Sequence, residues 1–397
     1  MKKLIWITLA VFIILAIMAW STISYKHDDN KINEYPSLGS SELERVWEYK
    51  TPEIITSTPV WDGNGNIYLH TESTIMAIRE TDGELLWSAS SPSKTPLNPS
   101  PVIRDGYLIV PEDQSRIAVF SRNNGQLLWR SSIIDAAVDR LLTANIESIA
   151  ATSEMLYVAR FDWTITAYKL INGEIAWEDK LPGSTFPYVV ADGRHVYVGV
   201  GPLLKVYDGI DGILLWEQGI FGYIGPMSYF DGILYILDEK NPAIFALDAA
   251  SKNTLWKDYY EGIDAFEFGC ITVNKDFIII AAEEIILVSK NNRKPEWVSE
   301  KIGRLECPVM LDNKLYVRNA NNLMFSLNIS TGQIVGVQDL DFDYTPIKHE
   351  PNRGPLATDR LIILPINEYE VIAYKPKSNL KRPVWNSPIP GWHKKVV

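Results

Sequence analysis

Short apolar runs alternate with polar turn residues along most of this chain, and the segment from Thr58 to Trp87 serves as a template. Thr58-Pro59-Val60 opens a short strand. Asp62-Gly63-Asn64-Gly65 supplies turn chemistry, because Asn and Gly tolerate positive φ. Ile67-Tyr68-Leu69 and Ile75-Met76-Ala77-Ile78 predict a second and a third strand. Thr81-Asp82-Gly83 turns again, and Leu85-Leu86-Trp87 opens a fourth. Each run is short, apolar or alternating, and bounded by turn residues, which reads as β rather than helix.

The same order recurs. Leu108-Ile109-Val110, Ile117-Ala118-Val119, Asn124-Gly125 and Trp129 make a second unit. Val196-Tyr197-Val198, Asp211-Gly212 and Trp216 make a fourth, and Leu234-Tyr235-Ile236 through Trp256 a fifth. The third (Leu156-Tyr157-Val158, Trp177) and sixth (Phe277-Ile278-Ile279, Trp297) are looser. The seventh has Leu315-Tyr316-Val317 and Thr331-Gly332, the eighth Leu361-Ile362-Ile363 and Val371-Ile372-Ala373-Tyr374. Tryptophan marks the period at Trp47, Trp87, Trp129, Trp177, Trp216, Trp256, Trp297 and Trp385, with gaps of 40, 42, 48, 39, 40 and 41 residues and then 88. The last gap holds two units, with Gly336 where a Trp is expected. A period near 40 residues is the signature of a repeat fold. Four strands per unit predict an all-β, eight-bladed β-propeller of four-stranded antiparallel blades. Seven blades is the alternative, since the units ending at 336 and 385 are the most degenerate. The strands around Trp47 and Trp385 compete for the outer position of the last blade; we favour Trp47, with Trp385 in a tail packed nearby.

Three segments carry a resemblance: Thr81-Asp82-Gly83-Glu84-Leu85-Leu86-Trp87, Asn124-Gly125-Gln126-Leu127-Leu128-Trp129, and Ala246-Leu247-Asp248 through Trp256. They resemble the PQQ-like (pyrroloquinoline-quinone-like) repeat of a β-propeller family, over roughly residues 45 to 385. The resemblance implies that each Trp and Thr-Gly turn joins neighbouring blades, so it identifies a fold more than a function. It also implies a choice between two kinds of relative. The quinone-dependent dehydrogenases have much longer chains, adjacent cysteines and a calcium-holding set of acidic and amide residues. None of these is matched here, so no cofactor is expected. In layout the chain is similar to the propeller lipoproteins of the outer-membrane β-barrel assembly machine, which act as docking scaffolds.

The amino terminus departs from that lipoprotein pattern. After a stub, residues 1–3, the stretch 4–24 is free of charge and long enough to cross a bilayer core of about 30 Å. Lys2 and Lys3 favour the amino terminus inside. No Cys precedes Cys270, which excludes lipid attachment at an N-terminal cysteine. We expect a transmembrane signal anchor, although Ala19-Trp20-Ser21 satisfies a cleavage rule. Residues 25–43 read as a tether, 44–385 as the propeller and 386–397 as a tail.

Charge narrows the partners. The chain has 38 Lys plus Arg against 49 Asp plus Glu, a net charge of −11. An acidic surface argues against nucleic acid and against adhesion to anionic lipid through the ring itself. Cys270 and Cys307 fall at nearly the same place in consecutive units, which allows either an inter-blade disulfide or two buried thiols.

Catalytic signatures are absent from the sequence. His27, His70, His195, His349 and His393 show no zinc spacing, and His195 reads as a surface or edge residue. There is neither a nucleophile elbow nor a phosphate-binding loop. Asp339, Asp341 and Asp343 would share one face of an extended segment, a weak calcium candidate against a solvated acidic face. The insertion from Tyr344 to Arg353, with His349 and Glu350, is a candidate functional loop. The most suggestive set is aromatic: Phe186, Tyr188, Phe221, Tyr223, Tyr259, Tyr260, Phe266 and Phe268 fall where one blade passes to the next. There they either fill blade interfaces or form a partner-binding rim on blades three to five. The chain therefore reads as a membrane-anchored, non-catalytic, extracytoplasmic scaffold, a monomeric ring that docks an envelope protein. The alternatives are a ligand or carbohydrate sensor at the channel mouth, and a channel-sited hydrolase or lyase.

Overall fold

The structure, a computed structural model, describes residues 35–37, 43–92, 99–112, 115–131, 145–183, 185–220, 222–261, 269–340 and 354–377. Their strands form eight four-stranded antiparallel sheets, seven of them running in chain order from an inner to an outer strand. Blade one comprises Val60–Trp61, Asn66–His70, Thr74–Arg79 and Leu85–Ser90. The ring is the expected eight-bladed propeller, which disposes of the seven-bladed alternative. Blade eight takes Leu356–Ala357, Ile362–Asn367 and Glu370–Pro376 from one end of the propeller and its outer strand, Leu43–Lys50, from the other. Trp47 lies opposite Ala373 in that closing pair. The described residues contain no helix long and apolar enough to cross a membrane. The stretch 4–24, Trp385, Phe221, Phe266, Phe268, Asp341, Asp343, His27, His349 and His393 lie outside the described residues.

The two middle strands of a blade are buried on both faces, as in Met155–Arg160, whereas outer strands such as Leu214–Gly219 alternate toward solvent. One sheet cannot cover both of its faces, so burial happens between blades. Eight apolar clusters, one per junction, do this; the one between blades one and two joins Tyr68 and Ile75 to Leu108 and Phe120. Several buried tyrosine hydroxyls find acceptors, as where Tyr197 donates to Asp192 at 2.7 Å.

Outer-strand tryptophans of blades eight, two, three and six each stitch their blade to the following one. The indoles of Trp47, Trp129, Trp177 and Trp297 donate to the carbonyls of Glu80, Leu170, Gly209 and Ile329, each at 2.7–2.9 Å in the third-to-fourth-strand turn of the following blade. A turn residue with positive φ lies against each ring. At Gly125 (φ +70) a Cβ would come within 2.4 Å of Trp87. Blades five and six carry Lys252 and Arg293 at that turn position, with φ of 65 and 60. Their cationic groups lie 5.9 Å from the Trp216 and Trp256 ring centres, so the cation approaches the ring that glycine elsewhere lets the backbone approach.

Gly336 now has a physical account. A Trp there would dock into the third-to-fourth-strand turn of blade eight, and that blade has no such turn, because its last two strands come from opposite ends of the ring. The outer strand of blade seven is instead met by the chain approaching the ring: Ser37 bridges Val337 in parallel, and the Val337 N–H donates to the Pro36 carbonyl at 3.0 Å. Cys270, which begins the inner strand of blade six, is disulfide-bonded to Cys307, just before the inner strand of blade seven.

Candidate functional site: the upper rim of blades three to five

Antiparallel blades put the second-to-third-strand hairpins and the inter-blade connections on one face, the upper one. The other turns lie on the lower face. Polar residues end several second strands on the upper side: His70, Glu112, Arg160, Asp238 and Arg318, all buried. A buried polar group is costly unless satisfied: Arg160 donates to Thr166 and Tyr168 on the third strand of its own blade, and the other four tie loops together. His70 contacts Thr56 Oγ1 at 2.9 Å through Nδ1 and Ser91 Oγ at 3.0 Å through Nε2. Ser91 donates to Glu112 at 2.9 Å, and the Arg130 guanidinium donates to the same carboxylate at 2.6 and 2.8 Å. Burial pushes His70 down to about 4, so it is neutral at pH 7 and serves as a structural link.

In blade three the hairpin Phe161-Asp162-Trp163 continues this scaffolding into an exposed feature. Trp163 has φ of 59 and donates its indole to the Thr185 carbonyl at 3.2 Å, lying over Gly183 in the connection to blade four. Phe161 packs against Trp163 and Phe186, with centroids 6.3 and 5.4 Å away. Phe186 remains 39% exposed. In blade five, Asp238 accepts from the Tyr223 and Lys240 N–H groups at 3.2 and 3.0 Å and from Asn241 at 3.0 Å. Gly222 (φ +127) is required there, since a Cβ would meet Asp238 at 1.8 Å. This clamp holds Tyr223, also 39% exposed, on the upper face. Between the two, the Tyr188 hydroxyl on the inner strand of blade four donates to Glu239 at 2.7 Å. Burial, then the Glu239 charge, push the Tyr188 hydroxyl above its ordinary range. Burial alone pushes Glu147 up to about 7.

The aromatic set expected from the sequence is thus divided. Phe186, Tyr188 and Tyr223 belong to the rim. Tyr259 is exposed on the outer strand of blade five, under the Lys257 ammonium at 4.6 Å. Tyr260 is a correction: it is buried in the cluster between blades five and six, with Tyr235 and Ile271, because it lies one residue past the outer strand of blade five. His195 is half-buried, with Nδ1 3.0 Å from Asp192. Among the described residues no group of three or more His, Cys, Asp or Glu is arranged to hold a metal; of the acidic triple only Asp339 is described. The sequence reading missed Phe161, Trp163 and the His70 chain. Trp163 carried a signal, being a tryptophan out of step with the period. The His70 chain carried none, because it joins residues from several turns.

Exposed aromatic side chains on braced connections are what the described rim presents. The family model described as outer membrane protein assembly factor BamB matches residues 38–154 and 161–378. BamB of Yersinia pestis is 25% identical over 190 residues, 46% of this chain and 48% of that protein, so this match spans about half of the relative. BamB of Salmonella typhimurium is 27% identical over 337 residues, 76% of this chain and 84% of that protein. The crystal structure of BamB from Moraxella catarrhalis superposes with a TM-score of 0.63 at 14% identity, covering 85% of this chain and 99% of that one. A quinohemoprotein alcohol dehydrogenase from Pseudomonas putida gives 0.62 at 12%, covering 90% and 80%. Both structural likenesses are of fold alone. With the ring, its repeat and the family match in agreement, this chain belongs to the family described as outer membrane protein assembly factor BamB.

Proposed function

We propose that the chain is a non-catalytic scaffold of the cell envelope, held to the cytoplasmic membrane by residues 4–24, with the ring outside and its upper rim docked on a protein partner. The observation that carries this is the rim itself: Phe186 and Tyr223 stay exposed on connections fixed by Trp163 and Asp238. Rigid aromatic groups on prepared loops are what a docking surface needs. Family membership supports a partner concerned with outer-membrane assembly. The Cys270–Cys307 bond supports an oxidising compartment. The test is a crosslinking pull-down from native membranes. A stoichiometric envelope protein is expected, with recovery falling at least tenfold in Phe186→Ala/Tyr223→Ala. No partner above background in the parent protein would sink the scaffold.

A second reading, a ligand at the channel mouth, is favoured by Glu147, whose carboxyl titrates near neutrality beside the Tyr188–Glu239 pair. It requires that Glu147→Gln alter binding of a small ligand without altering partner recovery.

A further inference from the structure

All the turns of the lower face lie among the described residues, and two of them carry an apolar feature that the repeat does not require. Blade three places Ile171 and Ile175, and blade four Ile210 and Ile213, in and just after their third-to-fourth-strand turns, 72%, 59%, 51% and 60% exposed. Ile171 and Ile210 stand where the other such turns have Thr81, Asn123, Ala250, Asn291 and Ser330. Ile213 stands where all the others have a polar residue, Glu84, Gln126 and Glu174 among them. Trp177 joins the two turns, donating its indole to the Gly209 carbonyl at 2.9 Å and lying against Gly212, between Ile210 and Ile213. Charges of both signs surround the isoleucines, and several are already engaged. Lys169 meets Glu174 at 2.9 Å, Arg194 meets Asp208 at 3.7 Å, and Lys252 lies over the Trp216 ring. Such a surface offers apolar burial rather than a single sign of charge.

The occupant follows from where the amino-terminal chain meets the ring. Ser37 bridges Val337 in parallel, so residues 35–37 climb blade seven from the lower toward the upper face. The closing strand Leu43–Lys50 also starts low, with Leu43 opposite Pro376 at the lower end of the third strand of blade eight. Both described segments therefore enter from the lower side. Blades seven and eight are four places round the ring from blades three and four, so this entry lies diametrically opposite the isoleucines. Residues 25–34, at about 3.4 Å each, reach at most about 34 Å. That is less than the roughly 50 Å width of a folded ring of this size. A bilayer holding residues 4–24 stays within reach of the lower face, and proximity of this kind strengthens a contact too weak to act alone. Turning the upper rim to the membrane would require the tether to run back around the edge of the ring.

We propose that Ile171, Ile175, Ile210 and Ile213 rest in the interfacial layer of the bilayer, so that the lower face lies on the membrane and the upper rim points away from it. This rests on the anchor reading above and deepens the scaffold, since it turns Phe186 and Tyr223 outward. The test uses the full chain reconstituted in phosphatidylcholine vesicles, some of whose lipid carries a doxyl quencher in the acyl chain. A zwitterionic lipid leaves the acidic ring unrepelled. A bimane is attached to a cysteine introduced at Ala176, exposed beside Ile175, or, in a separate protein, at Glu283, exposed in the upper hairpin of blade six. The Cys270–Cys307 bond is kept oxidised. Lipid quenching in Ala176→Cys should exceed that in Glu283→Cys at least fivefold. It should fall to the Glu283→Cys level when Ile171→Ser/Ile213→Ser is added, two changes outside the ring's core that leave the urea midpoint unmoved. Equal quenching at the two sites, or quenching that survives the serine pair, would overturn the docking. A label shielded from aqueous iodide yet unquenched by lipid would overturn it as well, and would assign the patch to a second copy of the chain. Flotation separates this docking from the anchor. Protein that floats with the vesicles and shows no lipid quenching in Ala176→Cys loses the docking alone. Protein that does not float loses the anchor, and the docking with it.

Discussion

At the scale of single residues, the ring depends on contacts with little room for change. A methyl group on Gly125 must both adopt φ of +70 and displace the Trp87 ring, which lies 2.4 Å from where the Cβ would sit. Backbone strain and overpacking each cost on the order of 1–3 kcal/mol. Gly125→Ala should therefore destabilise by about 2–4 kcal/mol, measured as a lower urea midpoint with an unchanged slope. At Lys252 the reverse exchange is mild: Lys252→Gly relieves φ of +65 and loses a cation over Trp216. Those contributions oppose each other, and the midpoint should move by less than about 1 kcal/mol. His70 makes stability depend on pH. Its folded value, about 4, lies below the unfolded 6.5, so the folded state binds this proton less readily. Above 6.5 there is no penalty. As pH falls from 6.5 toward 4 the unfolded chain takes up the proton and the folded one does not. Stability should drop by about 3 kcal/mol across that window, at 1.36 kcal/mol per pH unit. His70→Gln should flatten this part of the profile; a slope that persists would place its source elsewhere.

At the scale of elements, strands were legible and rims only partly so. Middle strands such as Leu156-Tyr157-Val158 announce themselves because burial on both faces demands continuous apolar residues. The turns were legible because Asn, Asp and Gly tolerate positive φ, as at Asp105, Asp231 and Asn313. The seam was half-legible. Gly336 was visible as a missing Trp, but its cause, a turn that blade eight does not possess, needed the pairing of Leu43–Lys50 with Glu370–Pro376. The rim resisted sequence reading because an aromatic residue at a connection looks the same whether it turns out, as Phe186 does, or in, as Tyr260 does. Trp163 is the element on which the rim rests, through the Thr185 carbonyl and the Phe161 ring. Trp163→Ala leaves a gap between hairpin and connection, and because the ring is partly exposed the loss should stay near about 2 kcal/mol. Hydrogen exchange should quicken in residues 181–188 and remain unchanged in blades six to eight. An unaltered connection would show that the rim is held by other contacts.

At the scale of the molecule, closure sets what can be removed. The Cys270–Cys307 bond closes a loop of 37 residues between blades six and seven. Chain entropy alone gives such a bond about 3–4 kcal/mol. A reductant should lower the urea midpoint of the parent protein and leave Cys270→Ser/Cys307→Ser unmoved. The closing strand matters more, because a ring is cooperative in a way that a linear repeat array is not. Removing residues 1–34 leaves every described strand of the eight sheets in place, and the remaining protein should unfold at the parent midpoint. Removing residues 1–50 deletes the outer strand of blade eight together with the Trp47 indole bond to Glu80. It also strips Trp47 from the cluster shared by blades eight and one, where Ile55, Ile67 and Val371 pack. The third strand of blade eight then becomes a bare edge, and Arg360 on blade eight keeps its ion pair with Glu80 on blade one without the strand that aligns them. The longer truncation should therefore lose the cooperative transition altogether, read as a broad melt with early exposure of Tyr374 and Ile372. A sharp transition near the parent midpoint would mean that seven blades and an incomplete eighth suffice, and that Leu43–Lys50 serves only to bring the tether to the ring.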